Sequence, residues 1–186
     1  MNTILETGAV VSRHTDAQGR EVINLRGREA ACDVGNTEGK FIFGPEKRSV
    51  VIPNVVCEME FQDVLEREQN VLEALRVKVE SPALKRPWGT LAVGTLAARQ
   101  RNKKEIQFGS VKAEEDQAVI LLLTGLAVDA VHTFPVRDGV CHATYCISTG
   151  LPISEYRDKE LKKKFRKKLT GGVHTVKFLE TAEPHN

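Results

Sequence analysis

An aspartate, two glycines and a lysine fall within one short stretch, Asp33-Val-Gly35-Asn36-Thr37-Glu38-Gly39-Lys40. Ala30 to Val34 before it and Phe41 to Phe43 after it are apolar, so the stretch reads as a hairpin: two short strands around a polar, Gly-bounded turn. A carboxylate rarely sits at the end of a core strand without a task. Glycine lets the N–H groups of the turn approach an anion closely, and Lys40 opens the returning strand toward the same point. A carboxylate for a magnesium shell, N–H groups for phosphate oxygens and an ammonium for phosphate charge form a set suited to a nucleotide. The same residue types also occur in ordinary hairpins with a solvated Asp and Lys, and the residues alone leave that reading open. Two other nucleotide loops are excluded, since neither Gly-x4-Gly-Lys-Ser/Thr nor Gly-x-Gly-x-x-Gly occurs.

Other chemistry-bearing residues point elsewhere. Cys32, Cys57, Cys141 and Cys146 make no Cys-x-x-Cys pair. If Cys141 to Cys146 is a strand, Cys141 and Cys146 lie on opposite faces, and His142 is about 13 Å from Cys146, too far to share one zinc. The basic run Lys162 to Lys168 is interleaved with Leu161, Phe165 and Leu169 at helical spacing. Its cations then form a solvated face opposite an apolar stripe. With no aromatic residues placed to stack bases, direct nucleic-acid binding is not expected. His132, His142 and His174 lack a partnered nucleophile, and there is no Gly-x-Ser-x-Gly elbow. No catalytic residue is assigned, and His174, in a predicted strand, is expected to be structural.

The elements that must position these residues follow from pattern. The chain has 186 residues, 41% hydrophobic and 28% charged, with a net charge of +2. That length suggests one domain carrying a small insertion, and the charge is too small to argue for nucleic acid or a membrane. The longest apolar run, Ala118 to Val128, is broken by Thr124 and Gly125, well short of the roughly 20 residues a bilayer needs. Met1 to Arg13 has no basic segment before its apolar part, so a cytoplasmic protein without membrane contact is expected. The first 28 residues read as peripheral, with a hairpin from Ala9–Val11 and Val22–Leu25. Val50 to Ile52 is a strand stopped by Pro53 and Asn54. Glu58 to Arg76 is helical or partly extended, and Val77–Val79, Leu91–Val93 and Ile106–Phe108 read as strands. Ala113 to Val131 is a helix with Glu114, Glu115 and Asp116 in its first turn. Gly139 to Ser148 is a strand, Glu155 to Leu169 a helix capped by Ser154, and Val173 to Leu179 a last strand. The order gives an α/β domain with a mixed sheet.

Asp33, Gly35 and Lys40 have the spacing of the first phosphate loop of actin-like ATPases, in which a lysine follows the aspartate by seven residues. Thr37 stands where ParM-like proteins often have a second glycine, and Glu38 adds a negative charge beside the loop. Further stretches match in order: Val51-Ile-Pro-Asn54-Val-Val, Ser81-Pro-Ala-Leu-Lys85, Leu91-Ala-Val-Gly94-Thr-Leu-Ala97, Asp116 to Ala130, and Thr149-Gly-Leu-Pro152. Over residues 30 to 180 the chain resembles the first domain of a plasmid-segregation ParM-like protein. The resemblance implies a ribonuclease-H-like domain of the actin/Hsp70 ATPase type, with a mixed sheet and flanking helices. It implies an N-terminal extension over 1–28, the first domain over 29–186, and an inserted lid subdomain over about 53–111. It also implies ATP or GTP with magnesium, bound weakly by this piece alone. Asp33 would order the magnesium through water, the backbone of Gly35, Asn36, Thr37 and Gly39 would hold phosphate oxygens, and Lys40 would neutralise phosphate charge. In such a protein the partners are filament protomers and a DNA-bound adaptor. The second domain of such a protein, with its own phosphate hairpin, is expected to be absent from this chain, which is then either a piece of a longer protein or a half-actin. This chain alone is therefore expected to lack ATPase activity and to self-associate through a bare cleft face near Gly35–Gly39, Thr149–Pro152 and Val173–Leu179. The rival reading is a non-catalytic protein-interaction module on a truncated actin-like fold, its phosphate site relaxed by Thr37 and Glu38.

Overall fold

The computed structural model describes residues 1–7, 9–15, 18–19, 21–59, 70–105 and 110–179. Period-two alternation sets the strands. In β1 (Asn2–Thr7), Thr3, Leu5 and Thr7 are buried. β2 (Ala9–Thr15) and β3 (Glu21–Arg26) pair as a separate antiparallel hairpin. β4 (Arg28–Val34), β5 (Glu38–Phe43) and β6 (Arg48–Pro53) form a meander. Its inner face carries Ala30, Cys32, Val34, Phe41, Phe43, Val50 and Ile52, and its outer face Asp33, Lys40, Ile42 and Val51. Next come β7 (Val55–Glu58), β8 (Arg76–Glu80), β9 (Leu91–Val93), the short helix α1 (Thr95–Ala98) and β10 (Lys104–Glu105). Helix α2 (Asp116–Thr133), the pair β11 (Val136–Arg137) and β12 (Val140–Thr149), helices α3 (Ile153–Arg157) and α4 (Lys159–Thr170), and β13 (Val173–Phe178) complete the order.

Apart from the β2–β3 hairpin, the strands join one mixed sheet in the order β10-β7-β9-β8-β13-β1-β12-β4-β5-β6, with β11 on β12. β1, β12 and β4 run parallel, so Thr7, Thr149 and Val34 end along one edge. β6 lies at one end of this order and β7 near the other, yet only Asn54 separates them in the chain. The sheet must therefore curl until its ends approach, and α1 touches both β6 and β7.

α2 fills the curl. Every residue from Asp116 to Ala130 is buried, and the helix contacts β1, β4, β5, β6, β8, β12 and β13. A helix apolar all round belongs in an interior. It is long and apolar enough to span a membrane, but 83% of it lies buried inside the fold, so packing accounts for its composition. Ile120, Leu121, Leu122, Leu123 and Leu126 are each at most 1% exposed and together contribute on the order of 10 kcal/mol of burial. Gly125 lets the ring of Phe41 approach the helix backbone, since a Cβ there would lie 2.5 Å from Phe41 Cζ. At the other end Asp129, fully buried, accepts from Arg28 Nε at 2.7 Å and from the Tyr145 hydroxyl at 2.7 Å. Arg28 also pairs with Glu46. The buried charge is thus compensated; hydrogen bonding to Glu46, helped by Asp129, holds the Arg28 guanidinium more firmly protonated, and burial, helped by Asp129, pushes the Tyr145 phenol up.

Several expectations are corrected. The first residues are not all peripheral: β1 lies between β12 and β13, with Leu5 completely buried. α2 starts at Asp116, after a 3-10 turn at Lys112–Glu114, so Glu114 and Glu115 precede the helix. Ser154 caps nothing. The helix there is split, and Asp158 caps α4 by accepting from the N–H groups of Glu160 and Leu161 at 2.9 and 3.1 Å. The insertion expected over about 53–111 is not among the corrected expectations: that segment has a small apolar cluster of its own, Val55, Cys57, Ala92, Leu96 and Ala97, and pairs with the main sheet through β8 and β13. The strand expected at Ile106–Phe108 and most of the ambiguous stretch 58–76 lie outside the described residues.

Candidate functional site

The meander brings Asp33 and Lys40 into register at its end, both exposed on the outer face. Beyond them the Gly35 N–H donates to the Glu38 carbonyl at 2.9 Å, leaving Asn36 and Thr37 as a two-residue loop. Among the described residues, the N–H groups of Asn36 and Thr37 have no hydrogen-bond partner. Gly39 faces inward, where a Cβ would meet Leu121 and Phe41 at 2.9 Å. Its lack of a side chain therefore serves packing against α2. Lys40 is 62% exposed along its side chain and reaches Glu38 Oε1 at 3.2 Å, an exposed pair of small energetic weight.

A second group of residues converges on the same edge, and sequence reasoning did not single it out. Lys112 is 9% exposed and donates from Nζ to the Gly150 carbonyl at 2.8 Å. Burial pushes its ammonium down, while the charges of Asp33 and Glu155 oppose that shift. Glu155, 6% exposed, accepts from the N–H groups of Lys112 and Ala113, each at 2.8 Å, and so fixes the turn before α2. Nearby in sequence, Ser110 Oγ and Thr149 Oγ1 are buried and have no hydrogen-bond partner among the described residues. Orphaned hydroxyls of this kind call for a further polar group. A buried lysine amid ordinary polar residues has no sequence signature, which is why Lys112 was missed.

The hairpin is held from behind by Asn54, 1% exposed, which donates from Nδ2 to the Gly35 carbonyl at 2.6 Å and from its backbone N–H to the Thr37 carbonyl at 2.8 Å. Between the end of β12 and α4 runs a groove of about 720 Å³. Ile147, Leu151, Phe165 and Leu169 contribute its apolar lining, and Lys162 and Arg166 its cations. Ile153 and Tyr156, just past the expected cleft face, are 73% and 59% exposed; within that face Val173 is 52% exposed, while Val176 and Phe178 are buried. The set fits a phosphate-bearing ligand with a divalent cation: free turn N–H groups, two lysines and one exposed aspartate. Ligands of open sheets bind where parallel strands end, and β4 and β12 end here.

Residues 31–184 match the family model described as actin like proteins N terminal domain. No curated protein shows a significant sequence match. Among solved structures, Bacillus thuringiensis ParM with AMPPNP is similar at 26% identity and a TM-score of 0.61, over 82% of this chain and 40% of that one. The same protein with ATP is similar at 28% identity and a TM-score of 0.58, over 82% and 39%. A 15-stranded ParM filament from Clostridium botulinum shares the fold at 20% identity and a TM-score of 0.62, over 84% and 43%. The chain thus spans about two fifths of the length of these relatives.

Proposed function

Because the chain belongs to the actin-like protein family, as an N-terminal domain, we propose that it supplies the first half of the ATP-binding cleft of a ParM-like, filament-forming ATPase that segregates plasmid DNA. The observation that carries the reading is the hairpin at the end of β4, whose Asn36 and Thr37 N–H groups are free while Asn54 ties off the carbonyls behind them. The solved B. thuringiensis relatives with ATP and AMPPNP support a nucleotide there. Asp33 would order a magnesium ion through water, Gly35, Asn36, Thr37 and Gly39 would line the phosphates, and Lys40 would neutralise their charge, with Lys112 as a second cation. The metal would supply charge neutralisation between phosphate oxygens. Filament protomers and a DNA-bound adaptor would be the partners of the whole protein, in the cytoplasm, and this domain would self-associate through its uncovered cleft face near Gly35–Gly39, Thr149–Pro152 and Val173–Leu179.

Calorimetry with Mg-ATP and Mg-ADP tests the site. Weak binding is expected, because one phosphate loop buries little of the ligand, and Lys40→Ala and Asp33→Ala should abolish it. Binding that survives both substitutions would place the nucleotide elsewhere. No ATP turnover is expected from this chain alone, since phosphoryl transfer needs the whole clamp assembled. The second reading, a non-catalytic interaction module, rests on Glu38, whose carboxylate lies beside Lys40 and would meet phosphate charge with its own. Failure to bind any nucleotide, with a concentration-dependent dimer in sedimentation, would select it.

A further inference from the structure

We propose that Asn54, backed by Gln117, is the positioning residue of the phosphate hairpin, and that it ties the hairpin to the point where the curled sheet closes. The proposal rests on reading the hairpin as a phosphate site. Asn54 and Gln117 are 1% and 8% exposed. Gln117, in the first turn of α2, donates from Nε2 to the Asn54 carbonyl at 2.9 Å and to Asn54 Oδ1 at 3.1 Å. With Oδ1 accepting from Gln117 and Nδ2 donating to Gly35, the amide of Asn54 has one orientation that satisfies both ends.

The consequence for the turn follows from the planar peptide. In a trans peptide the C=O of one residue and the N–H of the next point in opposite directions. The Gly35 carbonyl is drawn toward Asn54, so the Asn36 N–H is aimed away from it, out of the protein side of the turn. Breaking the Asn54 contact frees that peptide plane to rotate and scatters the N–H direction. Backbone donors stabilise an anion in proportion to how well they are preorganised. Asn54 is also the single residue between β6 and β7. One buried side chain therefore couples three things: the hairpin, the start of α2, and the start of the segment that resembles a lid.

The test uses isotope-labelled protein, with amide relaxation and hydrogen exchange read at Asn36 and Thr37, and calorimetry with Mg-ATP. Asn54→Asp keeps size and the acceptor for Gln117 but loses the donor to Gly35. It should disorder both turn amides and weaken Mg-ATP binding about tenfold, the scale of one lost hydrogen bond. Gln117→Met should shift both readouts the same way by less. Val176→Ala, a core truncation in β13, should lower stability and leave the turn amides unchanged. Turn amides as ordered in Asn54→Asp and Gln117→Met as in the wild type would overturn the proposal. If Asn54→Asp does not fold, Gln117→Met carries the same measurements with the chain link intact. A wild type that binds no Mg-ATP would sink the phosphate reading, while the amide measurements would still decide whether Asn54 positions the turn.

Discussion

His174 is fully buried and ties three elements together through its ring. Its Nε2–H donates to the Leu169 carbonyl at the end of α4 at 3.1 Å, and its Nδ1 accepts from the Ser81 hydroxyl at 2.7 Å, which in turn accepts from the Ala83 N–H. That arrangement needs the neutral ring. Burial pushes its pKa below the usual histidine value, against the opposing pull of the Leu169 carbonyl. The folded state therefore refuses a proton that the unfolded chain takes up near pH 6.5. Stability is full above that pH and falls as pH drops below it. Denaturation midpoints should decline from pH 7 to pH 5, and His174→Gln should flatten the decline without removing it, because His132 is shifted the same way. A slope unchanged by the substitution would mean that His174 does not titrate with unfolding. The sequence placed His174 in a strand as a structural residue, and it placed Asp33, Gly35 and Lys40 on one hairpin. It did not reveal Lys112, Glu155 or the task of Asn54. Those roles depend on which buried polar groups meet across elements, and a local pattern carries no record of that.

At the scale of elements, the tightest constraint lies where α2 crosses the meander. Gly125 is mid-helix, where alanine ordinarily gains up to about 1 kcal/mol of helix propensity. Here a methyl group would be driven into the Phe41 ring, which itself stacks on Phe43 with centroids 6.0 Å apart. Overpacking of that kind costs about 1–3 kcal/mol, so Gly125→Ala should lower the denaturation midpoint despite its better propensity. A stabilised variant would show that the ring has room to move. Elements with local signatures were legible: the meander, the strand from Val140, and the stripe of Leu161, Phe165 and Leu169. The buried faces of Phe165 and Leu169 match that stripe. Boundaries were less so. Ser154 looked like a cap because it precedes a helical pattern, but Asp158 interrupts that pattern and has two backbone donors within reach.

For the whole molecule, the decisive feature is β1. Asn2 pairs with Val140 on one side and with Lys177 on the other, so the strand joins two parts of the sheet that no other described strand pair links. Removing residues 2–7 should leave the facing edges of β12 and β13 without a partner, each strand keeping only its other neighbour, and abolish the cooperative unfolding transition in circular dichroism; a deletion variant that still melts sharply would mean the sheet closes without it. The local sequence marked the hairpin of β2 and β3 but not the place of β1. Its alternation is short and mostly polar, and its partners are the far end of the chain. Mixed α/β pattern and layer type could be read from element order, whereas the curl follows from one tight link at Asn54 and a helix with no polar side. The position of β1 also sets a timetable. Of the described strands of this domain it is made first on the ribosome, and its two neighbours, β12 and β13, are made after the others. It must therefore wait, unpaired, while nearly the whole domain is synthesised, and the sheet can close around it only when translation of β13 is complete. Contacts so distant in sequence make for slow folding, and during that interval the nascent chain depends on whatever else in the cell keeps an unpaired strand from pairing wrongly.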